Sequence, residues 1–168
     1  KRLNFWEIIR VKQHYPFSTG FTPESKNETY YDESGPEWVT IADLNGRFIK
    51  HSSKGISKLY LEKFKPSIIP SGSLLYSFKL SVGQVSITDR DLFTNEAIAA
   101  FCNLSDNETR FLYYSSQVCI IHNANENIYG AKLLNQDLIN NAPIVYPPLS
   151  EQKAIAEFLD RKCEEIDE

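Results

Sequence analysis

The sequence predicts an α+β fold: a twisted, mixed β-sheet with short helices, followed by a protruding C-terminal helix. Short apolar segments alternate with turn-forming residues over most of the 168 residues, as expected for many short strands. The double proline Pro147-Pro148 ends the last apolar segment. Beyond it, apolar residues recur at helical spacing, which predicts a helix of the coiled-coil type. We therefore divide the chain into a body at 1–147 and a helix at 148–168.

Elements in the first half are predicted from apolar runs and from the turn formers between them. They are a short helix or entry strand at 5–11, a loop at 18–28, a hairpin whose strands at 38–42 and 47–49 are joined by Asn45-Gly46, a short helix at 56–64 ended by Lys65-Pro66, a strand–turn–strand unit at 68–78, and a strand at 82–87.

Elements in the second half are less uniform. The apolar run at 94–101 fits either a strand or a helix, and 109–121 begins as a helix and turns strand-like around 118–121. A polar loop, a short helix that starts at 133–139 and a final strand at 142–146 complete the body.

The terminal helix has its own start signals. Ser150 can cap the first turn, and Glu151 places a negative charge at the positive end of the helix dipole. One face of the helix has positions separated alternately by three and four residues, the spacing that a coiled-coil partner requires. We call this face the seam. The seam residues are Gln152, Ile155, Leu159, Lys162 and Ile166. The competing interpretation is that this face packs on the helix's own domain.

Bulk composition limits the function classes. No apolar run approaches the roughly 20 residues that cross a bilayer, and three scattered cysteines fit a reducing cytoplasm. Because Lys1 is not an initiator methionine, we expect a piece of a longer chain. Net charge is −4 overall, but residues 1–90 carry +4 and residues 91–168 carry −8.

A basic band crosses residues 47–79, where seven Lys or Arg oppose Glu62 alone. Such a band is compatible with phosphate contact, although a solvated face is the simpler interpretation. Lysines, small hydroxyls and amides on predicted loops are the side chains that hold and read duplex DNA. The predicted DNA-binding residues are Thr22, Ser25, Asn27, Lys50, Ser53, Lys54, Lys58, Ser77, Lys79 and Asn95.

Catalytic interpretations find little support. Cys119 and His122 fall on opposite faces of a strand, so they do not form a nucleophile–base pair. Tyr146-Pro147-Pro148 lacks the Asp or Asn that precedes the prolines in amino-methyltransferases. The chain also lacks Gly-x-Gly spacing and a P-loop. We expect neither a cofactor nor a metal, and no catalysis by this polypeptide.

Several segments, in order, resemble the specificity subunits of type I restriction-modification systems. The strongest is Pro147-Pro148-Leu149-Ser150-Glu151-Gln152, which resembles that family's boundary between a target recognition domain and a conserved-region helix. The others are Trp6-Glu7, Gly20-Phe21-Thr22-Pro23, Trp38 to Leu44, Ile56-Ser57, Pro70 to Leu75, Val82-Gly83, Thr94-Asn95-Glu96 (with Glu in place of an amide) and Tyr129 to Leu138.

This resemblance implies a mechanism. In such a subunit each recognition domain reads one half of a split double-stranded DNA sequence, and the helices between act as a spacer. Methyltransferase subunits, and through them the restriction subunit, perform the chemistry. The terminal helix would meet a second conserved-region helix, in the same chain or in a dimer mate. The protein would then be cytoplasmic and free of membrane contact.

The alternative is an aromatic-rich carbohydrate- or protein-binding module without DNA function, which would use Trp38, Tyr30, Tyr31 and Tyr60. Aromatic residues on a sheet are more often core. The dependence of binding affinity on salt concentration distinguishes the two hypotheses, because affinity for DNA falls steeply with ionic strength and affinity for a sugar does not.

Overall fold

The α+β prediction is confirmed by a computed structural model that describes residues 6–52 and 54–167. Ten strands are present in this part of the chain: β1 (Glu7–Arg10), β2 (Phe17–Thr19), β3 (Trp38–Val39), β4 (Leu74–Ser77), β5 (Val85–Ile87), β6 (Phe93–Thr94), β7 (Ile98–Phe101), β8 (Asn125–Glu126), β9 (Lys132–Leu133) and β10 (Pro143–Tyr146). The helices are α1 (Val11–His14), α2 (Lys58–Phe64), α3 (Asp106–Cys119), α4 (Gln136–Asn141) and α5 (Leu149–Asp167).

The central sheet has the strand order β2-β7-β4-β5, and each neighbouring pair is antiparallel. All residues of β4 and β7 are buried, because the sheet is covered on both faces. Leu74 and Phe101 face a core completed by Leu112 of α3, while Leu75 and Ile98 face a second core. Double-sided burial explains why these strands read as continuous apolar runs.

Smaller pairings complete the body. β1 pairs antiparallel with β10, which brings the start of the chain beside the segment that leads into α5. β3 pairs with β6 in parallel, and β8 forms a short hairpin with β9. The predicted mixed sheet is thus distributed over one four-stranded and three two-stranded sheets.

The predicted hairpin at 38–49 is wrong. Asp43 accepts a hydrogen bond from the amide of Thr40 at 2.7 Å, and this local bond favours a 3-10 helix at Ile41–Asp43 instead of a strand. β3 therefore pairs with the distant β6, while Phe48 bridges to Ile87 of β5.

Two other ambiguous segments are settled by burial and capping. The run at 94–101 contains strand β7, and 118–121 is not a strand, since α3 continues to Cys119 and a 3-10 helix follows at Ile121–Asn123. Ser105 and Glu108 form a capping box at the start of α3, a signal that the sequence displayed. At the start of the chain, residues 7–10 form a strand; Phe5 lies outside the described residues.

Helix α5 begins at Leu149, so the prediction that Ser150 caps it is wrong. The amides of Glu151 and Gln152 donate to the carbonyl of Pro148 at 2.8 and 2.9 Å, and Ser150 lies inside the first turn. Glu151 does stand at the positive helix end, where its carboxylate accepts a hydrogen bond from Trp6 Nε1 at 2.6 Å.

Candidate nucleic-acid interface

Most of the predicted DNA-binding residues lie on one set of neighbouring segments, which we call the loop surface: 20–36, 50–52, 54–58, 78–81 and 94–97. Their neighbourhood begins at Gly20. A Cβ on Gly20 would lie 1.8 Å from the backbone oxygen of Thr94, so only glycine permits this close approach. The amide of Phe21 then donates to the same carbonyl at 2.9 Å, which docks the first loop on the end of β6.

Trp38 holds the first loop in place from the buried side of the loop. Its indole Nε1 donates to the carbonyl of Phe21 at 2.8 Å, and the ring of Phe21 stacks on Tyr60 with centroids 5.1 Å apart. Trp38 is 4% exposed, and Tyr30 and Tyr60 are each 8% exposed. These aromatic residues therefore form a core beneath the loops.

Thr22, Lys79 and Asn95 come together around Glu96. The hydroxyl of Thr22 donates a short hydrogen bond to the carboxylate of Glu96, and this bond, with the nearby charge of Lys79, lowers the pKa of Glu96. The amide of Phe78 donates to the carbonyl of Ala97 at 3.0 Å, which brings the third loop to this point. Three segments that are distant in sequence thus meet near Glu96, and they carry a hydroxyl, an amine and an amide.

Ser25, Asn27 and Lys54 occupy a second part of the loop surface. Ser25 and Lys54 line an open cavity of about 260 Å³. Lys54 Nζ lies 5.7 Å from the centroid of the Trp38 ring, a cation–π contact that leaves the amine exposed. Asn27 caps a 3-10 turn by accepting from the amide of Thr29 at 3.2 Å, so its carbonyl oxygen is occupied.

Lys50 and Lys58 are exposed at the edges of the loop surface. Lys58 lies 3.6 Å from Glu62 one turn along α2, a weak surface pair. The backbone carbonyl of Lys50 accepts from Arg90 Nη2 at 3.3 Å. Both amines project from anchored backbone, an arrangement suited to contacts with phosphate.

A partly buried ion pair, Glu37 with Arg90, lies next to the backbone of Lys50, and the sequence pattern does not predict it. Glu37 accepts from Arg90 Nε at 2.6 Å and from the amide of Ser52 at 3.1 Å, and His51 Nδ1 lies 2.8 Å from the same carboxylate. Burial alone would raise the pKa of Glu37, but the hydrogen bonds from Ser52, Arg90 and His51 lower it. Glu37 and Arg90 are 53 residues apart in the sequence, and no local sequence pattern predicts such a pair.

Two of the predicted residues are not part of this surface. Ser77 lies in β4 and is fully buried; its hydroxyl donates to the carbonyl of Ser81 and accepts from the amide of Gln84, so the prediction of a loop position is wrong. Ser53 lies outside the described residues. Two further residues of the basic band are engaged within the protein. Lys63 donates to the hydroxyl of Tyr30 at 2.9 Å, and Arg47 pairs with Asp160 at 2.7 Å.

The charge of the loop surface is divided. Most of its exposed cations lie on the 50–58 segment and at Lys79, whereas the 20–36 segment carries four exposed acids and one exposed Lys. The acids are Glu24, Glu28, Asp32 and Glu33. Attraction for a polyanion is therefore concentrated on one side of the surface.

The predicted partner seam of α5 is partly covered. Gln152 is fully buried against the body, where its Nε2 donates to the carbonyl of Pro147 at 2.9 Å, so its assignment to the partner face is wrong. Ile155 and Leu159 are half-buried, while Lys162 and Ile166 are exposed, the latter by 81%. The start of α5 therefore packs on its own domain, whereas the predicted partner seam is exposed toward the C-terminal end of the helix.

Within the described ranges, no helix is long and apolar enough to cross a membrane. Residues 6–52 and 54–167 also contain no cluster of three or more His, Cys, Asp or Glu side chains suited to a metal ion.

The described chain thus combines an α+β body that carries the loop surface with a long C-terminal helix. The chain belongs to the family described as the type I restriction modification DNA specificity domain, which it matches over residues 5–167.

Two relatives are similar in sequence. The chain is 24% identical over 160 residues to the type I restriction enzyme MjaIX specificity subunit of Methanocaldococcus jannaschii, covering 92% of this chain and 37% of that protein. It is 26% identical over 111 residues to the HindI specificity subunit of Haemophilus influenzae, covering 66% of this chain and 24% of that protein. The chain thus spans well under half the length of these relatives.

Solved structures show the same fold over 99% of this chain. The HsdS subunit from Thermoanaerobacter tengcongensis superposes with a TM-score of 0.72 at 18% identity, over 39% of its own length. A chain from a study of complex assembly and conformational transition of the type I R-M system gives 0.75 at 19% identity, over 40% of its length. The S subunit from M. genitalium gives 0.64 at 17% identity, over 41% of its length.

Proposed function

We propose that this chain reads one half of a split double-stranded DNA sequence as part of the specificity subunit of a type I restriction-modification complex. The family match over nearly the whole chain is the observation that carries the proposal. Both named relatives are specificity subunits of restriction enzymes, which supports a recognition role without catalysis by this polypeptide.

The loop surface is the part of the domain that we assign to DNA. Lys50, Lys54, Lys58 and Lys79 are exposed amines suited to phosphates, and phosphate contacts fix the register of a protein on the duplex. Thr22, Ser25, Asn27 and Asn95 carry hydroxyls and amides of the kind that contact base edges. Because Asn27 and Asn95 each accept a backbone amide through Oδ1, their amide nitrogens are left to donate.

Helix α5 is assigned to the conserved-region spacer, with the recognition domain at 1–147 and the spacer starting at 148–168. Ile155, Leu159, Lys162 and Ile166 form the face offered to a second helix, in the same chain or in a dimer mate. Methyltransferase subunits, and through them the restriction subunit, supply the chemistry in this proposal. The complex acts on DNA in the cytoplasm.

The alternative of an aromatic carbohydrate- or protein-binding module is disfavoured by burial. Trp38, Tyr30 and Tyr60 pack against one another and against Phe21 and Phe93, so their ring faces are not offered to a ligand. The hydroxyl of Tyr31 is also engaged, since it donates to the carbonyl of Pro23 at 2.9 Å.

The test is selection from a library of random duplexes by the intact parent subunit with its methyltransferase partner, at two salt concentrations. We expect enrichment of a split sequence, one half of which changes when this domain is replaced by another recognition domain. Affinity should fall steeply between the two salt concentrations, because bound lysines release counterions from the duplex.

Matched single variants connect the selection to the loop surface. Lys54→Ala should weaken binding to all duplexes, whereas Lys132→Ala, on the β8–β9 hairpin outside the loop surface, should not. Binding that is insensitive to salt, or enrichment that ignores replacement of this domain, would contradict the proposal.

A further inference from the structure

The carboxylate of Asp160 is the most densely bonded group on α5. Arg47 Nη1 lies 2.7 Å from its Oδ1, and the hydroxyl of Tyr114 donates to the same oxygen at 2.6 Å. Arg110 donates to Oδ2 through Nε at 3.1 Å and also through Nη2. The side chain of Asp160 is 13% exposed, so these bonds are shielded from water. We call Asp160 with Arg47, Arg110 and Tyr114 the Asp160 clamp.

The clamp joins α5 to two different parts of the body. Arg110 and Tyr114 are one turn apart on α3, whereas Arg47 comes from the segment before Phe48. The backbone carbonyl of Arg47 accepts from the amide of Ile87 at 2.7 Å, which ties it to the central sheet. Its guanidinium carbon lies 5.5 to 5.9 Å from the ring centroids of Phe48, Tyr113 and Tyr114. Arg47 is therefore held to the body by contacts that do not involve α5.

Two anchors determine the direction of α5. The first is Gln152, buried in the first turn and bonded to the carbonyl of Pro147. The second is Asp160, eight residues later and about 12 Å farther along the axis. A rigid helix held at two separated points has a fixed direction, whereas one held at its start can pivot.

The chemistry of the second anchor suits it to fixing an angle. Apolar side chains tolerate sliding past one another, because burial of apolar area is not directional. Charge-assisted hydrogen bonds between arginine and a carboxylate require defined distances and a shared plane. Between the two anchors only Ala156 is fully buried, and among the described residues the clamp holds the arginine–carboxylate pairs that join α5 to the body.

We infer that Asp160 is a positioning residue: it sets the direction in which α5 leaves the recognition domain, and through it the separation between the two halves of the DNA target. This inference rests on the proposed function. α5 spans 19 residues, or about 28 Å, so a tilt of about 7° displaces its end by about 3.4 Å, the rise of one base pair.

The experiment measures how the intact parent subunit, with its methyltransferase partner, ranks duplexes whose two half-sequences are separated by the selected spacing or by one base pair more or less. Asp160→Asn keeps the shape of the side chain but removes its charge. We expect the preference for the selected spacing to fall by about fivefold or more, with the base preference within this domain's half unchanged. Glu157→Gln removes a carboxylate that pairs with Lys153 of the same helix at 3.8 Å, and it should keep the original spacing preference.

A second variant guards against a folding defect. Tyr114→Phe removes one hydrogen bond to Asp160 and leaves both arginines in place, so it should weaken the spacing preference in the same direction by a smaller factor. If both variants rank the three spacings as the unmodified protein does, the positioning role is overturned while half-site recognition stands. If the unmodified subunit selects no split sequence, the proposed function fails, and the inference fails with it.

Discussion

The central sheet and the loop surface are ordered by different forces. In the sheet, β4 and β7 bury apolar side chains on both faces, and order comes from close packing. In the loop surface the loops lie on a small aromatic core and are held there by individual polar bonds, such as the indole of Trp38 on the carbonyl of Phe21 and the hydroxyl of Thr22 on Glu96. Substitutions in the sheet should therefore cost stability and leave specificity intact, whereas those in the loops should do the reverse.

This separation allows residues of the loop surface to be replaced without loss of the fold. A loop held by a few polar bonds can be altered residue by residue, because each bond contributes only about 1 kcal/mol. The Asp160 clamp does not fit this simple division, since it is a polar contact that is largely shielded from solvent.

The largest effect on stability is expected from truncation in the central sheet. Phe101 in β7 is fully buried, and Phe101→Ala should lower the free energy of unfolding by about 3–5 kcal/mol, because it removes buried area and leaves a cavity. Urea denaturation measures this loss, and the base preference of the protein that stays folded should not change. A cost below about 1 kcal/mol would contradict the role assigned to the sheet.

The clamp should give the next largest effect, seen as a dependence of stability on pH. Burial alone would raise the pKa of Asp160, but hydrogen bonds from Arg47, Tyr114 and Arg110 hold it at about 2, below its ordinary value of 3.8. A carboxyl with a depressed pKa stabilises the fold above its unfolded pKa and loses that contribution as pH falls through the folded pKa. The contribution is about 2 kcal/mol, lost between about pH 4 and pH 2.

Unfolding measured by urea at stepped pH checks this sign. The unmodified domain should lose stability more steeply below pH 4 than Asp160→Asn, while Glu157→Gln should follow the unmodified curve. Parallel curves for the unmodified domain and Asp160→Asn would show that the carboxylate is not held in its charged form.

A smaller effect is expected where the loop surface meets the core. Trp38→Phe retains an aromatic ring but removes the donor to Phe21, which should cost about 1 kcal/mol. Because the first loop is then less firmly docked, DNA affinity should fall severalfold at constant salt dependence. Equilibrium binding at several salt concentrations separates the two quantities, and a changed salt slope would contradict this account.

The smallest effect on stability is expected at Lys79. Its amine is exposed, so Lys79→Ala should change the free energy of unfolding by less than about 0.5 kcal/mol. If it contacts a phosphate, the slope of log affinity against log salt should become shallower by about 0.9, the value of one phosphate contact. Lys132→Ala is the matched control, and equal slopes for the two variants would remove Lys79 from the interface.

Many of the helices and strands can be predicted from interactions between residues that are close in sequence. The helix at 58–64, the final strand before Pro147 and the start of a long helix after the prolines were all predicted within a few residues, since caps, prolines and apolar spacing act over one or two turns. Asn45-Gly46 was misread as a hairpin turn because the Thr40–Asp43 bond, equally local, favours a 3-10 helix over the first strand. Ser77 was misplaced because a small hydroxyl in a strand looks the same in sequence as one in a loop.

Residue types at short, ordered spacings are enough to predict the α+β class, the position of the C-terminal helix and the family resemblance. Tertiary structure alone decided which residues share a surface and how α5 is held. Glu37 meets Arg90 across 53 residues, and Arg47 and Asp160 meet across far more of the chain. Such pairs depend on packing of the whole body, and charge or hydroxyl content in a sequence does not reveal whether a group faces solvent or a partner.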